Sequence, residues 1–177
     1  MLTPDGQAIA GAVSAGYGKD NSAVVTSNGK LYTAGNTNVG GSGTNYLVEK
    51  TLPAGKVAGR VIVAQLSIFV IMTDGTVWCL GTNWWASMGL GNSNNPAGVF
   101  AQTLLPSACK DLKHGNDGTV FLLTNGDVYF AGNNAEGGRG NGTTGGAIVE
   151  TPVRVSTFTG KATAIGANWY DTYYAFA

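Results

Sequence analysis

The sequence has little charge. Lys, Arg, Asp and Glu make up 11% of its 177 residues, and the formal net charge is zero, whereas roughly 25% charged residues is usual for soluble domains. Nucleic-acid binders carry a surplus of lysine and arginine that displaces counterions from phosphates. Here ten basic residues are balanced by ten acidic ones. The composition therefore argues against nucleic acid as a partner and predicts a surface covered by Asn, Thr, Ser and Gly.

Histidine and cysteine are also scarce, which removes most catalytic and metal-binding schemes. His114 is the single histidine, so a Ser-His-Asp system would have to be built around it, and it stands in a predicted strand. The sequence contains no CxxC, HxxxH or DxDxDG pattern, and its carboxylates are dispersed. We therefore expect no catalytic residue, no metal site and no cofactor, and predict that the protein is not an enzyme.

The two cysteines are Cys79 and Cys109. Cys79 stands between Trp78 and Leu80 in a predicted strand, which favours a buried free thiol. A disulfide between the two cysteines stays open at this point, because geometry decides it.

Long apolar runs are missing as well. No run reaches the roughly 18 residues that a membrane-spanning helix needs. The first six residues, MLTPDG, lack the basic region and the apolar core of a signal peptide. We expect a chain that is not inserted into a membrane and is not exported by the classical route.

Glycine, in contrast, is abundant, with 28 residues, and it marks a repeat. Two short apolar runs flank an Asn-Gly or Asp-Gly pair three times, a strong signal for a β-hairpin with a type I′ turn, which needs positive φ at both central residues. The three copies cover residues 22–43, 68–91 and 119–142. The turn glycines Gly29, Gly75 and Gly126 lie 46 and 51 residues apart. A period of about 40 to 50 residues built from hairpins is typical of propeller blades.

After each hairpin comes a version of the pattern Gly-x-Asn-x-x-Gly-x-x-Gly-x-Gly, which resembles the repeat of the regulator of chromosome condensation family. The third copy matches best, with Gly132, Asn134, Gly137, Gly140 and Gly142. The second copy has Ala86 in place of the first loop glycine, and the first copy has Thr37 in place of the asparagine. The Gln-Leu pair of the family is replaced in all three copies. The resemblance covers roughly residues 10–177 and implies a β-propeller fold.

We predict an all-β, β-propeller-like array of about three and a half four-stranded blades in a single repeat domain, 1–177. The blades are expected at about 10–56, 57–107 and 108–160, with a half blade at 161–177. A propeller ring usually needs about four to eight blades, and open strand edges invite pairing with another chain. We therefore expect a homo-oligomer joined through blade edges; a piece of a longer polypeptide and an open wedge are the alternatives.

The most unusual surface feature is the adjacent pair Trp84 and Trp85, which lies in a predicted loop with Asn83 and Asn94. An aromatic plane beside amides suits a neutral sugar, because the ring covers C–H faces while the amides bond hydroxyls. With Asn133 from the third copy, these residues form the candidate ligand-binding set. The alternative is that the tryptophans pack between blades or subunits.

These features predict a non-enzymatic recognition module that binds a cell-surface glycan or protein receptor. The uncharged surface and the expected self-assembly favour a phage tail fibre or another virion component, located on the virion or outside the cell after lysis. The alternatives are a protein-binding propeller, such as an enzyme inhibitor or an exchange factor like the namesake of the family, and a purely structural assembly component.

Overall fold

The architecture was obtained as a computed structural model, which describes residues 2–115, 117–155, 160–167 and 172–176. The fold is all-β, as predicted: three four-stranded antiparallel sheets are followed by a two-stranded pair. Two short 3₁₀ turns, Thr37–Val39 and Trp84–Ala86, are the helical elements of this part of the chain. Neither of them is long enough to cross a membrane.

Each four-stranded sheet is a meander in which consecutive strands are neighbours. The first sheet contains β1 (Ala12–Tyr17), β2 (Asn21–Thr26), β3 (Leu31–Gly35) and β4 (Val48–Lys50). The second contains β5 (Ala58–Val63), β6 (Ser67–Met72), β7 (Val77–Gly81) and β8 (Ala101–Gln102). The third contains β9 (Cys109–His114), β10 (Gly118–Leu123), β11 (Val128–Gly132) and β12 (Val149–Arg154). The final pair is β13 (Ala162–Ala167) and β14 (Thr172–Phe176); the turn expected between these two strands lies outside the described residues.

The three predicted hairpins are present, but the turn type is different from the prediction. Gly29, Gly75 and Gly126 have φ values of 79°, 80° and 83°, and each donates its N–H to the carbonyl three residues earlier. The residues before them have ordinary negative φ, because Trp85 and Ala86 are the non-glycine residues with positive φ in the described chain. Each hairpin therefore has a type I turn followed by a left-handed glycine, not a type I′ turn. This three-residue connection also suits the twist of paired strands.

The described chain divides into two compact units. The first unit contains Met1–Thr82 and Asn95–Ala101, and its main core lies between the first and second sheets. Both faces of the central strands β2 and β6 are buried, which explains their continuous apolar runs. The buried residues of this core are Ala23, Val25, Leu31, Ala58, Val61, Ile68, Val70, Met72 and Leu80.

The second unit contains Asn83–Asn94 and Gln102–Ala177. Its core joins the third sheet to β13, through the buried residues Val120, Leu122, Val128, Phe130, Val155, Ala162 and Ile165. Both cysteines are buried free thiols, as the strand position of Cys79 predicted. They contribute to the sheet interiors as small apolar side chains.

Candidate functional site

The loop that follows β7 carries the two adjacent tryptophans. Its 3₁₀ turn, Trp84–Ala86, belongs to the second unit and packs on β11 and β12. Ala86 and Met88 are fully buried and anchor the turn, whereas Trp84 and Trp85 are 58% and 47% exposed. Farther along, the Gly91 N–H donates to the Glu150 carbonyl of β12 at 2.9 Å. The loop is therefore held at its base and presents both indole rings to solvent.

The backbone of this turn is strained. Trp85 has φ 56° and ψ 23°, and Ala86 has φ 54°. In the other two loops, the position of Ala86 is occupied by Gly40 and Gly137, with φ values of 90° and 78°. A left-handed conformation costs a residue with a β-carbon about 1–2 kcal/mol, and it is a genuine outlier for a bulky side chain. Such strain persists where the surrounding structure enforces it, often at functional positions.

Asn83 supports this loop from inside. It is 1% exposed, and its amide nitrogen donates to the carbonyls of Asn92 and Asn94 at 2.9 and 3.1 Å. Its amide oxygen accepts from the Met88 N–H at 2.8 Å. The sequence predicted Asn83 as one of the ligand-binding residues. Its burial corrects that assignment, because the amide bonds the loop backbone and does not face solvent.

Asn134 bonds the backbone of the third loop in the same way. It is 4% exposed, its amide nitrogen donates to the Thr143 carbonyl at 3.0 Å, and its oxygen accepts from the Arg139 N–H at 2.9 Å. The pattern asparagine is therefore a buried clamp that joins the two ends of a loop. Its recurrence at the same offset from the strand-ending glycine was the sequence signal for this structural role.

The remaining candidates are divided between two loops. Asn94 is exposed and lies in the same loop as the tryptophans, where its N–H donates to the Asn92 side-chain oxygen at 2.9 Å. Asn133 is half-buried in the third loop. Its amide oxygen accepts from the Ala135 N–H at 3.0 Å, and its amide nitrogen donates to Asp117 at 3.5 Å. Trp84, Trp85 and Asn94 therefore lie in one loop and Asn133 lies in another.

His114 lies at the end of β9, where its Nδ1 is 2.7 Å from the Thr119 hydroxyl. Burial lowers the pKa of its imidazole to about 4, so the ring is neutral at pH 7. Among the described residues, no group of three or more His, Cys, Asp or Glu side chains is placed to hold a metal ion.

The side chains that the tryptophan loop exposes, Trp84, Trp85 and Asn94, can make aromatic contacts and amide hydrogen bonds.

Solved structures show which fold this is. The chain aligns with Prp20p from Saccharomyces cerevisiae with a TM-score of 0.74 and 14% identity, covering 92% of this chain and 42% of that one. Yeast RCC1 (Prp20) bound to Kap60 aligns with a TM-score of 0.76 and 16% identity, with 92% and 41% covered. The fold is a partial propeller of the RCC1 type.

Human WBSCR16 aligns in the same way, with a TM-score of 0.74, 17% identity, and 90% of this chain and 44% of that one covered. This chain thus spans less than half the length of each of these propellers. No family model matches the sequence. At sequence identities this low, the structural similarity establishes the fold and nothing more.

Proposed function

We propose that the chain is a non-enzymatic, protein-binding propeller module whose contact surface includes the Trp84–Trp85 loop. The observation that carries the proposal is Trp85, a large side chain that is 47% exposed on a left-handed backbone. Folding alone gives no reason to keep this combination, because glycine would meet the backbone requirement without strain. A contact with a partner supplies the reason.

Two features support a protein as the partner. Exposed aromatic residues on a well-anchored base are the typical centres of protein interfaces. A structural neighbour also has protein partners: yeast RCC1 (Prp20p) binds Gsp1p and histones and forms a complex with Kap60. What we carry over to this chain is the class of partner, a folded protein, and not the identity of any one of these proteins.

A cell-surface receptor, glycan or protein, is the second candidate, with the chain as part of a phage tail or virion. It is favoured by the low charge content and by the position of exposed Asn94 in the tryptophan loop.

Self-association is a further proposal. On β1, Val13 and Tyr17 are 61% and 83% exposed, and an apolar row of this kind would be covered by a second copy of the chain. Light scattering after size-exclusion chromatography tests this, and a clean monomer would refute it.

Photo-crosslinking tests the protein-binding proposal directly. Trp84 is replaced by p-benzoylphenylalanine, which keeps an aromatic ring at the exposed position, and the protein is irradiated in an extract of its source cells. We expect one discrete protein adduct, identified by mass spectrometry. An excess of unlabelled wild-type chain should suppress it, and a Trp84→Ala/Trp85→Ala double variant should not.

The purified adduct partner is then used to measure affinity by interferometry. The double variant should lose at least about tenfold in affinity, since truncation of interface tryptophans commonly costs more than 1 kcal/mol. The control is Val99→Ala, which truncates another apolar side chain, 73% exposed, and should bind like the wild type. Equal competition by the double variant would show that the tryptophans are not part of the contact surface.

A further inference from the structure

The first loop, residues 36–47, is closed differently from the other two. Thr37 occupies the position of the buried asparagine clamp, and the backbone closes the loop instead. The Gly35 N–H donates to the Thr44 carbonyl, and the Gly43 N–H to the Gly35 carbonyl, both at 2.7 Å. The Gly41 N–H also donates to the Asn36 carbonyl at 2.8 Å. Backbone bonds therefore take the place of the asparagine clamp in this loop.

An open cleft of about 620 Å³ lies at this loop, entirely within the first unit. It is lined by Asp20, Gly35, Asn36, Thr37, Gly43, Thr44 and Asn45. The lining contains no aliphatic or aromatic side chain, so the cleft does not suit an apolar ligand. Volumes of about 300–1,000 Å³ are typical of small-molecule sites.

The backbone segments around the cleft are closely packed. A β-carbon on Gly35 would lie 2.1 Å from the Asp20 carbonyl oxygen, and one on Gly41 would lie 2.4 Å from the Gly35 carbonyl carbon. These backbone segments therefore pack directly against each other. The Asn36 N–H donates to the Asp20 carbonyl at 2.9 Å, which fixes the two sides of the cleft relative to one another. A site of this kind needs little reorganisation to accept a ligand.

Three polar side chains of the cleft are available for a ligand, whereas Asn36 and Thr44 already bond the loop. Within the described chain, the side chains of Asp20, Thr37 and Asn45 make no hydrogen bond to protein. The other described aspartates do: Asp5, Asp74, Asp111, Asp117 and Asp127 each accept a bond from a side chain or from a backbone N–H. The cleft thus combines the free carboxylate of Asp20, the amide of Asn45 and the hydroxyl of Thr37.

We propose that this cleft binds a neutral saccharide. Sugar hydroxyls donate to carboxylate oxygens and exchange bonds with amides and hydroxyls, which are the groups that the cleft offers. The Asp20 carboxylate disfavours an anionic ligand. One carboxylate is also a poor set for calcium, which takes six to eight oxygen ligands that usually include several carboxylates. This proposal stands apart from the tryptophan loop and does not rest on the proposed function.

A nuclear magnetic resonance titration of the ¹⁵N-labelled chain tests the proposal. The probes are glucose, galactose and N-acetylglucosamine at millimolar concentration, with calcium chloride as a separate probe. We expect at least one sugar to shift the backbone amides of Gly43 and Thr44 and the side-chain amide of Asn45. Asp20→Asn should weaken that sugar about tenfold, because it removes a charged acceptor. The fold should survive this change, because the backbone carbonyl of Asp20, and not its carboxylate, accepts from Asn36.

The matched control is Glu136→Gln, which neutralises an exposed carboxylate in the third loop and should leave sugar binding unchanged. Shifts at the cleft with calcium alone would overturn the saccharide assignment in favour of a cation site. No shift at the cleft with any of the three sugars would overturn it as well. Equal weakening by Asp20→Asn and Glu136→Gln would show that the effect of charge is not local to the cleft.

Discussion

Replacing Asn83 by alanine tests the asparagine clamp most directly. The change removes three hydrogen bonds, to Asn92, Asn94 and Met88, from a residue that is 1% exposed. At roughly 0.5–1.5 kcal/mol for each bond, the free energy of unfolding should fall by about 2–4 kcal/mol. For a chain of this size, that corresponds to a decrease in Tm of roughly 5–15 °C.

The assay is urea unfolding followed by tryptophan fluorescence, with Thr37→Ala as the comparison. Thr37 occupies the equivalent position in the first loop, where the backbone makes the closing bonds, so this variant should stay within about 0.5 kcal/mol of the wild type. Asn134→Ala should be destabilised as Asn83→Ala is, because it breaks the same kind of clamp in the third loop. If Asn83→Ala and Thr37→Ala unfolded at the same urea concentration, the clamp would contribute nothing and the reasoning would be wrong.

Three further predictions concern backbone strain at Trp85, the titration of His114 and the ion pairs of Asp127. Trp85→Gly should be more stable than Trp85→Ala by about 1 kcal/mol in the same urea assay, because glycine adopts φ 56° without strain; the usual opposite order would disprove the strain. The pKa of His114 is about 4 in the folded chain, against 6.5 for a free side chain, so protons bind the unfolded state more tightly. Stability should therefore fall by about 2 kcal/mol between pH 7.5 and pH 5, and His114→Gln should remove that part of the pH dependence. Asp127 bonds Arg154 and Lys161, both at 2.8 Å; Asp127→Asn should cost about 1 kcal/mol in low salt, and thermal denaturation in molar salt should show a smaller difference.

The regular part of the fold could be predicted from the sequence. Alternating and continuous apolar runs, punctuated by glycines at fixed offsets, specify hairpins and their repetition. The hairpin around Gly126 and the strand pair near the C-terminal end are found where that pattern indicates them. The turn type could not be predicted in the same way, because Asn-Gly suits a type I′ turn and also a type I turn followed by a left-handed glycine. In the structure, the N–H groups of Thr26, Met72 and Leu123 donate to the carbonyl four residues later, which belongs to the type I turn followed by a glycine.

The candidate site was predictable only in part. A tryptophan pair in a loop indicates exposure, and the structure confirms it for Trp84 and Trp85. The sequence does not show that an asparagine beside them is buried, since Asn83 is polar and stands in a loop. Burial of an amide depends on backbone carbonyls that are brought in from nine and eleven residues away. The φ of Trp85 was equally out of reach, because a tryptophan has no local preference for a left-handed backbone.

The three loops differ in how far they depart from the repeat pattern. The third loop keeps the pattern asparagine Asn134 and the glycine Gly137, and it carries no aromatic side chain. The first loop departs from the pattern at Thr37 and has a polar cleft. The second departs at Ala86 and has two exposed tryptophans on a strained turn. Because the hairpins beneath all three loops are alike, the sheets do not require these differences. The departure at Ala86 puts backbone strain on a residue with a β-carbon, and the departure at Thr37 leaves the first loop without a buried asparagine. Because folding gains nothing from either departure, we expect ligands to contact the first and second loops.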